Sequence, residues 1–417
     1  MAVRVFLQTF GCRANQYDSE AVAALVTRSG GTVVHDVADA DVAVFNSCAV
    51  TAAAESDLRQ QVRRAARHAP QVRTIVMGCA AARSGAALAE LPRVHAVIGG
   101  ADLHAVGQAI GLPQATTTGA PTGPQRGTRG LLRIQDGCNE HCTFCATTLA
   151  RGASRSRPVD ELVEEAGRLA AHHAEIVLTG VHIGSYGAEQ GSSLAMLLDT
   201  LVRRVPAVRF RLSSVEATEV DAFLGELLVH DPRRVAPYLH APLQSGSDAV
   251  LRRMGRHWYT SSRYVSAIEA LLVRAPVLGL GADVVTGFPG ETEADHRATC
   301  DVVQALPFSG LHVFPYSARP GTAAVRLGGD VPDAVRRARA AELRQLGASA
   351  AAAYVARRIG GVADVIVIGH ADGHRDGLTE DYIAVELAQP APGRGVRFAA
   401  RLGAGTTPVR PIATPLS

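Results

Sequence analysis

Leu131-Leu132-Arg133-Ile134-Gln135-Asp136-Gly137-Cys138-Asn139-Glu140-His141-Cys142-Thr143-Phe144-Cys145 is the stretch that decides the fold. Leu131–Gln135 reads as an apolar strand, and it runs straight into a C-x3-C-x2-C loop. Three thiolates this close together can ligate three corners of a cubic 4Fe–4S cluster and leave one iron open. Electron carriers usually close the cluster with a fourth cysteine, so an incomplete set argues for chemistry at the cluster. A structural zinc site wants four closed ligands, and His141, wedged between two cysteines, has poor geometry for the fourth. Disulfides need an oxidising compartment, which nothing in the sequence suggests.

Outward from this loop the α/β rhythm continues to about residue 325. Pro158 opens a helix whose first turns carry Asp160, Glu161, Glu164 and Glu165, matching the helix dipole. Strands are expected at Ile176–Thr179, Arg209–Ser213, Tyr238–Ala241, Ala282–Thr286 and Gly310–Phe314. With Leu131–Gln135 they make six βα units, enough for an open, three-quarter barrel. Functional loops of such barrels lie at the carboxyl ends of the strands, where the Cys138 loop sits.

The first 110 residues also alternate. Val3–Gln8, Asp41–Asn46, Val72–Met77 and Val94–Ile98 read as strands, and Asp18–Arg28 and Thr51–His68 as helices, with Thr51 as an N-cap. This order predicts a parallel, doubly wound sheet. Each of the first three strands runs into a cysteine: Cys12, Cys48 and Cys79. Ligands of open α/β sheets bind outside the carboxyl ends of the strands, so the three could meet there as a second cluster set. Burial as small hydrophobes is the alternative for free cysteines, and the residues alone leave both readings open. The seventh cysteine, Cys300, falls on an expected helix and reads as packing.

The Gly/Pro/Thr-rich stretch Gly111–Thr128 reads as a linker. The expected units are 1–112, a linker at 113–127, 128–355 and 356–417. Asp333–Arg358, rich in Ala and Arg, has strong helix propensity. Val362–Gly369, Tyr382–Leu387 and Val396–Leu402 read as strands of a small β-barrel, in a region with seven arginines against six carboxylates.

At 417 residues the chain has a net charge of only +3, so composition does not announce a nucleic-acid binder. All 42 basic residues are arginine, which excludes a Schiff-base lysine and a P-loop of the usual kind. No stretch approaches the roughly 18 unbroken apolar residues of a membrane span. The N-terminus shows no secretory leader, and a cytoplasmic location is expected, with no membrane partner.

Together these features resemble the methylthiotransferase family of radical S-adenosylmethionine (SAM) enzymes. The likeness runs through FGCRANQYDSE, FNSCAVT, VMGCAA, LLRIQDGCNEHCTFC, RGASRSRP, EIVLTGVHIGSYG, RLSSVE, LHAPLQSGSDAVLRRM, DVVTGFPGETE and HVFPYSARPGT. The ending DGLTEDYIAVEL resembles the TRAM domain, a small RNA-binding β-barrel. One branch of the family modifies isopentenyladenosine in tRNA, another an aspartate of a ribosomal protein, and a third threonylcarbamoyladenosine in tRNA. GCRANQYDSE, NSCAVT and RGASRSR are most similar to the third. His141 and Ala146-Thr147-Thr148-Leu149 depart from the family's commoner residues beside the loop.

The resemblance implies two 4Fe–4S clusters. The one on Cys138, Cys142 and Cys145 binds SAM through its open iron and yields a 5′-deoxyadenosyl radical that takes hydrogen from C2 of the modified adenine. The other, on Cys12, Cys48 and Cys79, holds the sulfur, which a second SAM methylates. SAM contacts are expected at Thr179, Gly180, Ser213, Glu216, Gln244 and Asp283; for Gly180, Gly184 and Gly187 turn geometry is an equal reading. Arg151, Arg155 and Arg157 are placed either at anticodon-loop phosphates or on solvated surface. Implied partners are the tRNA anticodon loop, a reductant such as flavodoxin or ferredoxin, and a sulfur donor. Readings of another class are an iron–sulfur RNA-binding protein without catalysis and a zinc-binding module.

Overall fold

The computed structural model describes residues 2–49, 52–112, 123–275, 277–371 and 374–416. Thr51 and residues 113–122 of the expected linker lie outside them.

The first sheet is parallel throughout, with β1 (Arg4–Thr9), β2 (Thr32–Val34), β3 (Val42–Ser47), β4 (Arg73–Gly78) and β5 (Val94–Gly99) in the order β2-β1-β3-β4-β5. Alternation along β3 shows why it is doubly wound. Val42 and Val44 pack with Val22, Val26, Val106 and Ile110 of α1 (Arg13–Arg28) and a helix at Leu103–Ile110. Ala43 and Phe45 pack on the other face with Leu58, Val62, Ala80 and Leu88 from helices Ala52–His68 and Cys79–Ala89. Successive side chains point to opposite faces of a strand, so a strand covered on both faces reads as continuous apolar sequence. The short edge strand β2 is absent from the sequence reading because three residues carry too little periodicity to see.

The second unit opens with β6 (Gly130–Arg133) and two short strands, β7 (Gln135–Asp136) and β8 (Arg155–Ser156), which pair antiparallel. It continues with β9 (Glu175–Thr179), β10 (Arg209–Leu212), β11 (Tyr238–His240), β12 (Gly279–Thr286) and β13 (Gly310–Pro315). Parallel pairing runs β6-β9-β10 and β11-β12-β13. Parallel bridges Phe210–Val235 and Ser214–His240 join the two halves into one six-stranded curve. Among the described residues β13 does not pair with β6, so the barrel is open.

The long helix Asp333–Arg358 packs along β13 and leads into the last unit. There β14 (Val362–Ala371), β15 (His374–Leu378), β16 (Ala384–Leu387), β17 (Arg397–Thr407) and β18 (Arg410–Pro415) close a barrel in the order β14-β15-β16-β18-β17. Two of these strands escape the sequence reading: β15 because His-Arg-Asp-Gly-Leu has one apolar residue, and β18 because Pro411 and Pro415 interrupt its apolar pattern. The expected strand at Tyr382–Leu387 begins only at Ala384, since Tyr382 takes a left-handed backbone with φ 72°.

A buried ionic cluster joins the closed barrel to the open one. Glu175, on β9, accepts from Arg209 Nε and Arg211 Nε at 2.7 Å each, with all three side chains fully buried. Arg211 also donates to the carbonyls of Glu380 and Thr379 at 3.0 and 3.1 Å, and Arg209 to that of Asp364 at 3.1 Å. Each charge is therefore both paired and hydrogen-bonded, the condition for burying it. The loop at 379–382 thus seats at the amino ends of the barrel strands, opposite the Cys138 loop.

Candidate active site

Backbone geometry fixes the Cys138 loop before any ligand arrives. Gly137 has φ 74°, and a Cβ there would lie 2.0 Å from the Ala153 carbonyl oxygen. The Cys138 N–H donates to the Gly152 carbonyl at 3.1 Å, and the Thr143 N–H to that of Met254 at 2.8 Å. N–H groups also serve the thiols: Glu140 N lies 3.4 Å from Cys138 Sγ, and Thr147 N 3.4 Å from Cys145 Sγ. Arg256 Nη1 donates to Cys142 Sγ at 3.6 Å, while its Nη2 holds both oxygens of Glu216 at 2.5 Å. His182 Nδ1 lies 3.8 Å from Cys138 Sγ, and its Nε2 is 2.7 Å from Glu219 Oε1.

Electrostatics follow from burial. The Cys142 thiol is pushed up to about 12 by burial, against the pull of Arg256. Burial works against the charged form of His182, yet its bonds with Cys138 and Glu219 outweigh it and raise the imidazole to about 10. Buried thiols of this kind give up their protons to a metal, so binding would release protons.

Cys12, Cys48 and Cys79 converge although they come from three different strand ends. Asn15 Oδ1 lies 3.8 Å from both Cys12 Sγ and Cys79 Sγ. Gly11 lies directly over Cys48: a Cβ on Gly11 would sit 2.4 Å from both Cβ and Sγ of Cys48. The Cys79 thiol is pushed up to about 11 by burial, against Arg151, with the charges of Cys12 and Cys48 acting on it.

The two cysteine sets meet across one short helix, α2 (Thr147–Arg151). Ala146, the residue after Cys145, packs with Ala150 against Cys79 and Ala49. Arg151, at the far end, donates through Nε to Cys79 Sγ at 3.3 Å and through Nη2 to Asn15 Oδ1 at 2.8 Å. It also pairs with Asp18 at 2.6 Å and Asp136 at 3.0 Å. Arg151 is therefore buried structure between the two sets and not a phosphate contact or a solvated residue, a correction to both readings of the sequence. Arg157 is likewise engaged, with Glu165 at 2.7 Å, whereas Arg155 remains exposed.

The six residues expected to touch SAM stand along the carboxyl halves of the strands. Thr179 ends β9 and is buried; Ser213 follows β10. Gly180 faces protein, since a Cβ there would lie 2.7 Å from the Gln135 carbonyl oxygen. Glu216 is held by Arg256, which also donates to Cys142 Sγ. Gln244 adopts φ 60° and bridges to Val284. Asp283, on β12, receives His240 Nε2 and His312 Nδ1 on one oxygen, both at 3.2 Å. Burial works against its charge, but the two imidazoles hold Asp283 well below the ordinary carboxylate range.

His240, Asp283 and His312 offer three metal-type ligand atoms within 4.8 Å of one another, as do His296, Cys300 and Glu342. Cys300 is otherwise buried packing, as its position predicts. Sequence reasoning misplaced Arg151 and missed the roles of Asn15, His182, Arg256 and Tyr382. Asn15, His182 and Tyr382 fall inside quoted motifs, which is the only signal they give, and Arg256 lies two residues beyond one. No helix among the described residues is long and apolar enough to cross a membrane.

Comparison with known proteins follows the same division of the chain. Residues 4–99 match a family described as "Uncharacterized protein family UPF0004", and residues 132–303 match the radical SAM superfamily. A threonylcarbamoyladenosine tRNA methylthiotransferase MtaB of Thermotoga maritima is 35% identical over 371 residues, 85% of this chain and 84% of its own. The protein of the same name from Bacillus subtilis is 36% identical over 382 residues, covering 87% and 84%. A tRNA-2-methylthio-N(6)-dimethylallyladenosine synthase of Sorangium cellulosum is 34% identical over 414 residues, covering 88% and 82%. Among solved structures, the cobalamin-dependent SAM radical enzyme OxsB shares the fold at TM-score 0.50 with 11% identity, over 78% of this chain and 54% of its own.

Proposed function

The chain belongs to the methylthiotransferase family of radical SAM enzymes, and on that premise we propose that it inserts a methylthio group at C2 of N6-threonylcarbamoyladenosine, next to the anticodon of tRNA. SAM and a 4Fe–4S cluster come with the radical SAM superfamily. Cys138, Cys142 and Cys145 are the residues that fit that cluster, because the three thiols share one loop and two of them already accept from backbone N–H groups. A second 4Fe–4S cluster on Cys12, Cys48 and Cys79 is the finer part of the proposal.

The observation that carries the reading is the single helical turn from Ala146 to Arg151, which links two separate sets of three thiols. One set alone would support a radical enzyme; two sets this close support insertion of a sulfur atom. When bound, SAM and its cluster supply a carbon-centred radical able to take hydrogen from an unactivated C–H bond, and the second cluster supplies the sulfur.

The protein's own groups position these parts. Arg256 fixes Cys142 and neutralises Glu216; Arg151 fixes Cys79 and, through Asp18 and Asp136, ties the first sheet to the barrel. Thr179, Ser213, Glu216, Gln244 and Asp283 line the strand ends where SAM would lie, and Gly180 lets the chain turn past Gln135. In this reading residues 1–112 carry the sulfur site, 128–355 the radical site, and 356–417 a TRAM-like barrel that meets the anticodon loop. A reductant such as flavodoxin or ferredoxin, a sulfur donor and a cytoplasmic setting complete the proposal.

Anaerobic reconstitution tests it. About eight irons per chain are expected, from two four-iron clusters. Cys48→Ala is expected to form 5′-deoxyadenosine from SAM but no methylthio product, and Cys142→Ala to form neither. Mass spectrometry of hydrolysed tRNA from a deletion strain should show loss of 2-methylthio-threonylcarbamoyladenosine; an unchanged nucleoside profile overturns the assignment.

A further inference from the structure

Arg13 follows Cys12 directly, at the start of α1, but its side chain reaches out of the first sheet to the loop at 379–382, which seats at the amino ends of the open barrel. There Nη2 donates to the Tyr382 hydroxyl at 2.8 Å, and the guanidinium carbon stands 5.8 Å from the Tyr382 ring centroid. Tyr382 belongs to the closed barrel, and its ring stacks at 4.5 Å on Tyr238 of β11. The charge of Arg13 acts on both Tyr238 of β11 and His312 of β13.

Neighbouring cationic side chains in this lumen each reach a carboxylate. Arg129 and Arg211 share Glu175, and Asp283 lies between His240 and His312. Among the described residues no carboxylate comes within ion-pairing distance of Arg13, which is half-buried. A guanidinium fork held by one hydroxyl and lacking an acid is a receptor for an anion, and its planar geometry suits a carboxylate.

We propose that Arg13, steadied by Tyr382, binds the threonine carboxylate of the substrate nucleoside and so selects the N6 substituent. This rests on the nucleoside assignment above. Adenine C2 and the carbon bearing N6 are separated by one ring nitrogen, so a chain on N6 runs along the same edge of the base that C2 presents. In the proposed pose a base that offers C2 to sulfur at the Cys12 set points its N6 chain toward Arg13. An RNA phosphate is the other anion this fork would accept, and the experiment separates the two.

Two anticodon stem–loop RNAs serve as probes, one with threonylcarbamoyladenosine and one with its neutral threoninamide counterpart. Methylthiolation is followed in single turnovers by mass spectrometry with the full-length, reconstituted enzyme. Wild type is expected to favour the carboxylate RNA by about 10- to 100-fold, the range for losing a charged hydrogen-bonded pair. Arg13→Gln should erase that preference by slowing the carboxylate RNA alone, and Arg13→Lys should keep part of it. Equal wild-type rates on the two RNAs overturn the subsite whatever the variants do. An Arg13→Gln loss of equal size on both RNAs indicates a phosphate contact and also overturns it. If wild type cleaves SAM but methylthiolates neither RNA, the nucleoside assignment fails and takes the subsite with it.

Discussion

Replacing Gly11 with alanine tests the convergence of Cys12, Cys48 and Cys79 at a single pair of atoms. Gly11 has φ 93°, and a Cβ there would stand 2.4 Å from Cys48 Cβ and Sγ, where ordinary contact begins at 3.4 Å. The backbone strain is about 1–2 kcal/mol, and forced overpacking adds about 1–3 kcal/mol. Stability alone would survive that loss. The site would not, because Cys48 must retreat by about 1 Å to restore contact, several times the ~0.2 Å tolerance of a metal–ligand distance. Gly11→Ala, reconstituted anaerobically, should bind about four irons per chain instead of about eight. It should still convert SAM to 5′-deoxyadenosine at the Cys138 loop and make no methylthio product. Iron and sulfide analysis with product mass spectrometry reads all three. A variant that binds a full complement of iron and methylthiolates normally would show that Gly11 and Cys48 are not in contact and that the second set is wrongly drawn.

Three further outcomes are expected. Arg256→Gln removes the donor to Cys142 and the partner of buried Glu216; SAM cleavage should fall about 10- to 100-fold, as for loss of an outer-shell partner, measured as 5′-deoxyadenosine formed under reductant. Glu175→Ala strips both Arg209 and Arg211 of their shared acid, which should cost about 3–5 kcal/mol and lower the melting temperature by about 3–8 °C. Because the two guanidiniums hold Glu175 below the ordinary range against its burial, its contribution is present above about pH 4.3 and is lost as acid protonates it. Cys300 is pushed up to about 11 by burial, so with both clusters loaded its alkylation by iodoacetamide should be slow at neutral pH and rise about tenfold per pH unit, with the thiolate fraction; fast labelling at pH 7 would contradict its packing role.

Much of the architecture was legible because its signals are local. The strands of both parallel sheets announce themselves as apolar runs bounded by turns, and all six of the open barrel fall within a few residues of their expected places. Strands β2, β15 and β18 were illegible for equally local reasons: brevity in the first, polar sequence in the second and proline interruptions in the third. Arg151 shows the limit most clearly. Its sequence neighbours, Arg155 and Arg157, suggest a basic surface, yet it is buried against Cys79, which lies 72 residues earlier. Arg256 meets Cys142 across 114 residues, and Arg13 meets Tyr382 across 369. No periodicity encodes such pairs.

By itself the sequence determined the chemistry on offer at the Cys138 loop. Seven covalent steps from Cys138 to Cys145 keep three sulfurs within reach of one cluster in almost any fold. It also placed Cys12, Cys48 and Cys79 after strands, and a parallel sheet brings strand ends to one edge. Tertiary structure alone decided that the two sets stand back to back across α2, that Arg151 bridges them, and that Tyr382 enters the barrel to meet Arg13. Those arrangements depend on how whole units dock, through buried charges such as Glu175 with Arg209 and Arg211, and docking is a property of summed surfaces that no short stretch of sequence carries.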